Sequence, residues 1–133
     1  MMASPYHSSI DAFLASLSRS GLIDQPQLVS VVADFYSETR HAYGNSLTSL
    51  VSWLIERRYL TEWQVTKLRQ NKYKGFVLDS FVLLDVLETD PSVNFKRYLA
   101  RDTRRNTLVS IKVFAPEKRS VEGIVYEIEG DFA

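Results

Sequence analysis

Apolar residues in the first half of the chain recur at the spacing of helices. Residues three, four and seven positions apart lie on one face of a helix, so each such stripe predicts an amphipathic helix. A fourth helix start is indicated by Thr61 and Gln64, which have the spacing of a capping box. The three stripes are Ile10, Phe13, Leu14 and Leu17; Leu28, Val31, Val32 and Phe35; and Leu47, Leu50, Val51 and Leu54.

These helices form an internal repeat with a shift of 37 positions. Each copy predicts a helical hairpin, at about residues 9–36 and 46–72, and residues 37–45 are expected to form the loop between them. Gly21 is expected to end the first helix in the left-handed conformation. Two copies are few for a solenoid, so we expect a compact four-helix unit over residues 1–74. The matched positions include Phe13 with Leu50, Leu17 with Leu54, Asp24 with Thr61, and Gln27 with Gln64.

The pattern changes at residue 75 to short apolar segments that favour strands. Phe76–Leu87 suits one or two strands, and Phe95–Arg101 suits another. Between them, Thr89-Asp-Pro-Ser92 is a turn sequence. The predicted fold class is therefore α+β, with an N-terminal four-helix unit followed, over residues 75–133, by a three- to four-stranded antiparallel sheet.

Strict alternation predicts a further strand at Thr107–Phe114, preceded by a polar hairpin loop at Asp102–Asn106. In this strand Ser110 and Lys112 share one face, opposite the face of Val109, Ile111 and Val113. The tail also alternates, and its branched and aromatic content favours a strand at residues 121–130. A short helix remains the alternative interpretation there.

Opposite charges balance in this sequence, with 16 Lys and Arg against 16 Asp and Glu. Because nucleic acids and anionic membranes are met with clustered positive charge, neither is predicted as a partner. The absence of cysteine excludes disulfides. The chain does not begin with a basic segment and a long apolar run, so a soluble cytoplasmic protein is expected. His7 and His41 lack nearby ligand residues at metal-binding spacing, so no metal site is predicted.

Several segments carry a resemblance to a known family. The run Leu60-Thr-Glu-Trp-Gln-Val-Thr-Lys-Leu68, followed by Lys72-Tyr-Lys-Gly-Phe76, resembles the segment that precedes the kinase domain in bacterial serine/threonine protein kinases, notably those of planctomycetes. Phe81–Leu87, Tyr98–Asp102 and Val109–Val113 resemble the first three strands of the kinase N-terminal lobe. The similarity extends over most of the chain and implies a truncated, degenerate kinase N-lobe after the helical segment.

The resemblance places Lys112 at the position of the ATP-contacting lysine, and Ser110 where the family usually has alanine beside the adenine. The stretch Glu88–Asn94 corresponds to the glycine-rich phosphate loop, yet it contains no glycine, and Glu88 and Asp90 would repel phosphate. The sequence has neither the His-Arg-Asp catalytic loop nor the Asp-Phe-Gly metal motif. We therefore expect no enzyme activity, no catalytic residue and no bound cofactor.

The tail segment Ile124–Asp131 resembles the fifth kinase strand. By that interpretation the regulatory helix is missing, together with the glutamate that pairs with Lys112 in the family. The alternative interpretation sets Glu127 or Glu129 as that glutamate on a shortened helix. Strand propensity favours the first interpretation.

These observations favour a non-catalytic protein-interaction or regulatory module related to the N-terminal part of serine/threonine kinases. Its partner would be a kinase, another signalling protein or a second copy of the chain, bound through an unpaired sheet edge. The alternatives are a nucleotide-sensing pseudokinase fragment that uses Lys112 and a truncated kinase remnant without a selected role. Arg101, Arg104 and Arg105 are interpreted as a solvated hairpin tip balanced by Asp102, with an anion site as the alternative.

Overall fold

The computed structural model describes residues 9–39, 46–114 and 125–132. The chain divides into two compact units, Met1–Phe76 and Val77–Ala133. The α+β class is confirmed, with four helices and then an antiparallel sheet of five strands in the described ranges, one strand more than the upper expectation. The elements are α1 (Ile10–Ser20), α2 (Gln25–Thr39), α3 (Leu47–Glu56), α4 (Glu62–Arg69), β1 (Val77–Leu78), β2 (Phe81–Thr89), β3 (Phe95–Asp102), β4 (Thr107–Phe114) and β5 (Tyr126–Asp131).

Polar caps define the helix ends. The predicted capping box of α4 is confirmed, because the backbone N–H of Gln64 donates to Thr61 Oγ1 at 3.1 Å and that of Thr61 donates to Gln64 Oε1 at 2.9 Å. Gly21 ends α1 with a φ of 78°, as expected of a left-handed C-terminal residue. Helix α2 continues to Thr39, so the loop begins later than residue 37, where the sequence placed its start.

The helical unit has its own apolar core, to which both hairpins contribute. Trp53 packs edge-on against Phe35 and stacks on Tyr59, while Trp63 meets Phe76 edge-on. Both tryptophans thus act as packing residues. The side chains that are almost fully enclosed in this core are Phe13, Leu17, Phe35, Leu50, Leu54 and Leu68.

Each strand of the sheet pairs antiparallel with the next one along the chain, in the order β1-β2-β3-β4-β5. The apolar run at Phe76–Leu87 supplies both β1 and the start of β2. The tail forms strand β5, so the strand interpretation is confirmed for Tyr126–Asp131 and the short-helix alternative is wrong there. Residues 121–124 of that prediction lie outside the described residues.

The sheet is curled, so that β5 reaches the turn between β1 and β2. The Tyr126 hydroxyl donates a hydrogen bond to the Asp79 carboxylate, and its ring lies edge-on to Phe81. Register shifts in the β2–β3 and β4–β5 ladders account for the curvature, because bulges bend a strand and increase its twist. The inner face carries the buried apolar side chains described in this unit, which are Leu78, Phe81, Leu83, Ala100, Val109 and Ile111.

A search for membrane-spanning segments found no helix in the described part of the chain with both the length and the apolar content that a bilayer requires.

Candidate functional site

Strand register assembles a row of charged residues on the outer face of the sheet. Arg97 on β3 lies directly opposite Lys112 on β4. Glu88 on β2 is the neighbour of Arg97, and Glu127 on β5 is the neighbour of Lys112. Residues opposite each other in a ladder project from the same face, so this row brings two cations together between two carboxylates.

Glu129 occupies the centre of this charged cluster. Its carboxylate accepts hydrogen bonds from Ser110 Oγ at 2.8 Å and from Arg97 Nε at 3.0 Å, and Lys112 Nζ lies 3.9 Å from it. The residue lies at the register shift of β5, next to Gly130, whose φ of 144° strongly favours glycine. The bulge thus places the Glu129 carboxylate of β5 next to Ser110 and Lys112 of β4.

The aromatic ring of Phe95 completes the cluster. Lys112 Nζ lies 4.8 Å from the ring centroid, and Arg97 Cζ lies 5.3 Å from it. Both distances are within the range of cation–π attraction. The ammonium group of Lys112 therefore interacts with an aromatic face and with a carboxylate of its own chain.

Glu129 and Arg97 favour each other's charged forms. Partial burial of the Glu129 carboxylate opposes its ionisation, but hydrogen bonds from Ser110 and Arg97 and the nearby cations outweigh that effect and lower its pKa. The hydrogen bond to Glu129 in turn raises the pKa of Arg97. Glu129 and Arg97 thus keep the charges on which their attraction depends.

Lys112 and Ser110, the two residues assigned to a degenerate nucleotide site, are therefore side by side and share one carboxylate. The interpretation favoured from the sequence left Lys112 without a glutamate partner, whereas the alternative set Glu127 or Glu129 as that partner on a shortened helix. Glu129 provides the countercharge from a strand rather than from a helix.

A second charged group forms at the hairpin between β3 and β4. Asp102 is buried, accepts a hydrogen bond from the Arg104 backbone N–H at 3.0 Å, and pairs with Arg105 Nε at 3.0 Å. Arg105 also reaches Asp131 on β5 at 2.8 Å. The hydrogen bond from Arg105 is the main cause of the lowered pKa of Asp102. This geometry agrees with a hairpin tip balanced by Asp102, and Arg101 is exposed beside it.

This pKa shift predicts a pH dependence of stability. A carboxyl group whose pKa is lower in the folded state stabilises the fold above its ordinary pKa, and that contribution is lost as the pH falls toward the folded-state value. We therefore expect Asp102→Asn to weaken the loss of stability as the pH falls from about 5, just above the ordinary aspartate pKa, to about 2. Urea denaturation midpoints of both proteins across that range test this, and parallel pH profiles would contradict it.

Sequence reasoning missed Arg97 and Phe95 as members of the cluster, and it named Glu129 only in the alternative interpretation. The alternation of β3 already placed Phe95 and Arg97 on one face, which was the available signal. Their proximity to Lys112 depends on the register of three strands, and single-strand alternation does not define register.

Among residues 9–39, 46–114 and 125–132, no group of three or more His, Cys, Asp or Glu side chains is arranged to hold a metal ion. His7 and His41 both lie outside these ranges. Comparison of the chain with family models, curated proteins and solved structures found no match.

Proposed function

We propose that this chain is a non-catalytic protein-interaction or regulatory module, related to the N-terminal part of serine/threonine kinases. The observation that carries the proposal is the engagement of Lys112 by Glu129 and Phe95. An ATP-contacting lysine must present its ammonium group to phosphate oxygens. A glutamate partner alone would not prevent this, since the family's lysine also has one. What differs here is that the ammonium group of Lys112 lies against the Phe95 ring and that Ser110 and Arg97 hold the Glu129 carboxylate beside it.

The turn between β2 and β3 supports the same proposal. Asp90 closes it, since its carboxylate accepts hydrogen bonds from the Ser92 backbone N–H at 2.9 Å and from the Ser92 hydroxyl at 2.7 Å. These hydrogen bonds lower the pKa of Asp90, so the turn carries a negative charge at neutral pH. A turn that presents a carboxylate and has no glycine is unsuited to receiving phosphate groups on its backbone.

A nucleotide-sensing pseudokinase fragment is the second candidate. The observation that favours it is the clustering of Lys112, Arg97 and Ser110, because two cations and a hydroxyl on one face are groups that bind phosphate. Glu129 would then have to leave the cluster before a nucleotide entered. A kinase remnant without a selected role would bind neither a nucleotide nor a protein partner.

A thermal-shift experiment with ATP and magnesium tests the proposal. We expect an unchanged melting temperature and no transfer of the γ-phosphate. A ligand present at about a hundred times its Kd would add about 2.7 kcal/mol of stability, which would raise the Tm of a unit this small by roughly 10 °C. An unchanged Tm at millimolar ATP would thus be easily distinguished from binding.

Two variants complete that experiment. Lys112→Ala removes the ammonium group at issue, and Lys96→Ala removes an exposed lysine from the neighbouring strand β3 as the matched control. A Tm increase with ATP that disappears in Lys112→Ala but persists in Lys96→Ala would contradict the proposal and support the nucleotide sensor. Phosphoryl transfer by the purified chain would contradict both.

A further inference from the structure

Resting on the proposed function, we propose that the outer edge of β5 is the docking site of that module, and that it binds an extended segment rich in Lys or Arg from a different protein. Strand β5 ends the strand order, and within the described ranges no strand pairs with its outer side. An unpaired strand edge offers backbone donors and acceptors to an added strand.

The hydrogen-bond pattern of β5 identifies the backbone groups that are available. The Phe114 N–H donates to the Val125 carbonyl oxygen at 2.9 Å, so Val125 faces β4. Antiparallel ladders alternate, and the backbone groups of Tyr126 and Ile128 are therefore directed away from β4. Ile128 is the better exposed of the two, with half of its surface accessible, and lies in the middle of this edge.

Charge defines the chemistry of the segment that would dock. Strand β5 carries three carboxylates and no basic residue. Internal ion pairs do not neutralise it, because Arg97 is shared with Glu88 and Arg105 is shared with Asp102. Together, these two groups of ion pairs and Glu127 have five carboxylates against three cations, so they keep a negative charge that attracts Lys and Arg. The carboxylates are Glu88, Asp102, Glu127, Glu129 and Asp131, and the cations are Arg97, Arg105 and Lys112.

The same charges disfavour a second copy of this chain as the docked strand. Antiparallel pairing of β5 with itself about Ile128 would set Glu127 opposite Glu129, and like charges directly opposite each other destabilise a strand pair. Strand β2 offers no better partner, because Phe81–Thr89 carries acidic residues and no basic one. Acidic edges of this kind prevent sheets from associating with their own copies.

Apolar side chains along β5 would contribute contact area to binding, in addition to the attraction between charges. Val125, Ile128 and Phe132 are all exposed, and Ile128 points to the same face as Ile111. A docked strand that alternates basic and apolar residues would set its basic side chains beside Glu127 and its apolar ones beside Ile128. The inferred ligand is therefore an alternating basic and apolar segment in extended conformation.

Binding of two synthetic peptides to the full chain tests this inference. One peptide alternates Lys with Val, and the other alternates Glu with Val at equal length. We expect the Lys peptide to bind, the Glu peptide not to bind, and hydrogen exchange of the Ile128 amide to slow when the Lys peptide is added. Ile128→Pro removes a backbone N–H that is directed away from β4, so the hydrogen bonds between β5 and β4 are kept. This variant should bind the Lys peptide more weakly by roughly fivefold or more.

Charge variants keep the inference testable should Ile128→Pro fail to fold. Glu127→Lys should lower the affinity for the Lys peptide and raise that for the Glu peptide. Glu62→Lys makes the same charge change on α4 and should alter neither. Binding of neither peptide, equal binding of both, or a dimer that Ile128→Pro dissociates in light scattering would each overturn the inference. None of these results depends on ATP, so failure here and failure of the thermal-shift prediction are separate outcomes.

Discussion

Replacing Phe35 with alanine is expected to lower the free energy of unfolding of the helical unit by about 3–5 kcal/mol. The Phe35 side chain has no solvent exposure, and its ring contacts Tyr36 and Trp53 edge-on, at centroid distances of 5.2 and 5.7 Å. Truncation would remove the buried ring and leave a cavity between α2 and α3, which rigid helices fill only in part. Because domains are typically stable by about 5–15 kcal/mol, a loss of this size threatens the folded state itself.

Urea denaturation followed by far-ultraviolet circular dichroism measures this loss, and Val29→Ala on the same helix is its control. Val29 is 68% exposed, so its truncation should change the stability by less than about 0.5 kcal/mol. Since α2 contains both positions, helix propensity alone cannot produce a large difference between the variants. Equal effects of the two substitutions would contradict the packing assigned to Phe35.

A loss of about 2–5 kcal/mol is likewise expected in the sheet unit for Ile111→Ala. Ile111 lies on β4 at the inner face of the curled sheet and has no solvent exposure. Its neighbours across the ladders, Tyr98 and Ile128, belong to the strands on both sides. Shortening the side chain would therefore remove contacts with β3 and β5 at once.

Leu108→Ala provides the matched control for Ile111, because Leu108 lies on the same strand but projects from the opposite face and is 39% exposed. We expect its effect to be well below that of Ile111→Ala. Amide hydrogen exchange of β3 and β4 reports the stability of the sheet separately from that of the helices. Similar loss of protection in both variants would contradict the assignment of the inner face.

Helices and caps were predictable because their signals are local. The periodicity of α1 and α3 and the spacing of Thr61 and Gln64 depend on residues within one or two turns. Branched and aromatic residues likewise indicated β5 correctly. The end of α2 was set too early because the polar residues at 37–39 resemble loop residues, although the helix continues through them.

The charged cluster was not predictable for the opposite reason. Strand β1 has two residues, which are too few to show an alternating pattern. The contact of Glu129 with Lys112 requires the pairing of β4 with β5 and a shift at Ser110, and a shift of one residue changes the face on which a side chain lies. Alternation within a strand therefore identified Lys112 and Ser110 as neighbours but not their shared carboxylate.

The meander order of the sheet also has a kinetic consequence. Because every strand pairs with the one that follows it, most contacts join residues close together in the chain, and such topologies fold quickly for their class. Among the described contacts of the sheet, the hydrogen bond between Tyr126 and Asp79 is an exception, since it spans 47 residues. Loop closure over that separation costs the most entropy, so we expect this bond to form late in folding. Curling of the sheet would then follow the pairing of its strands.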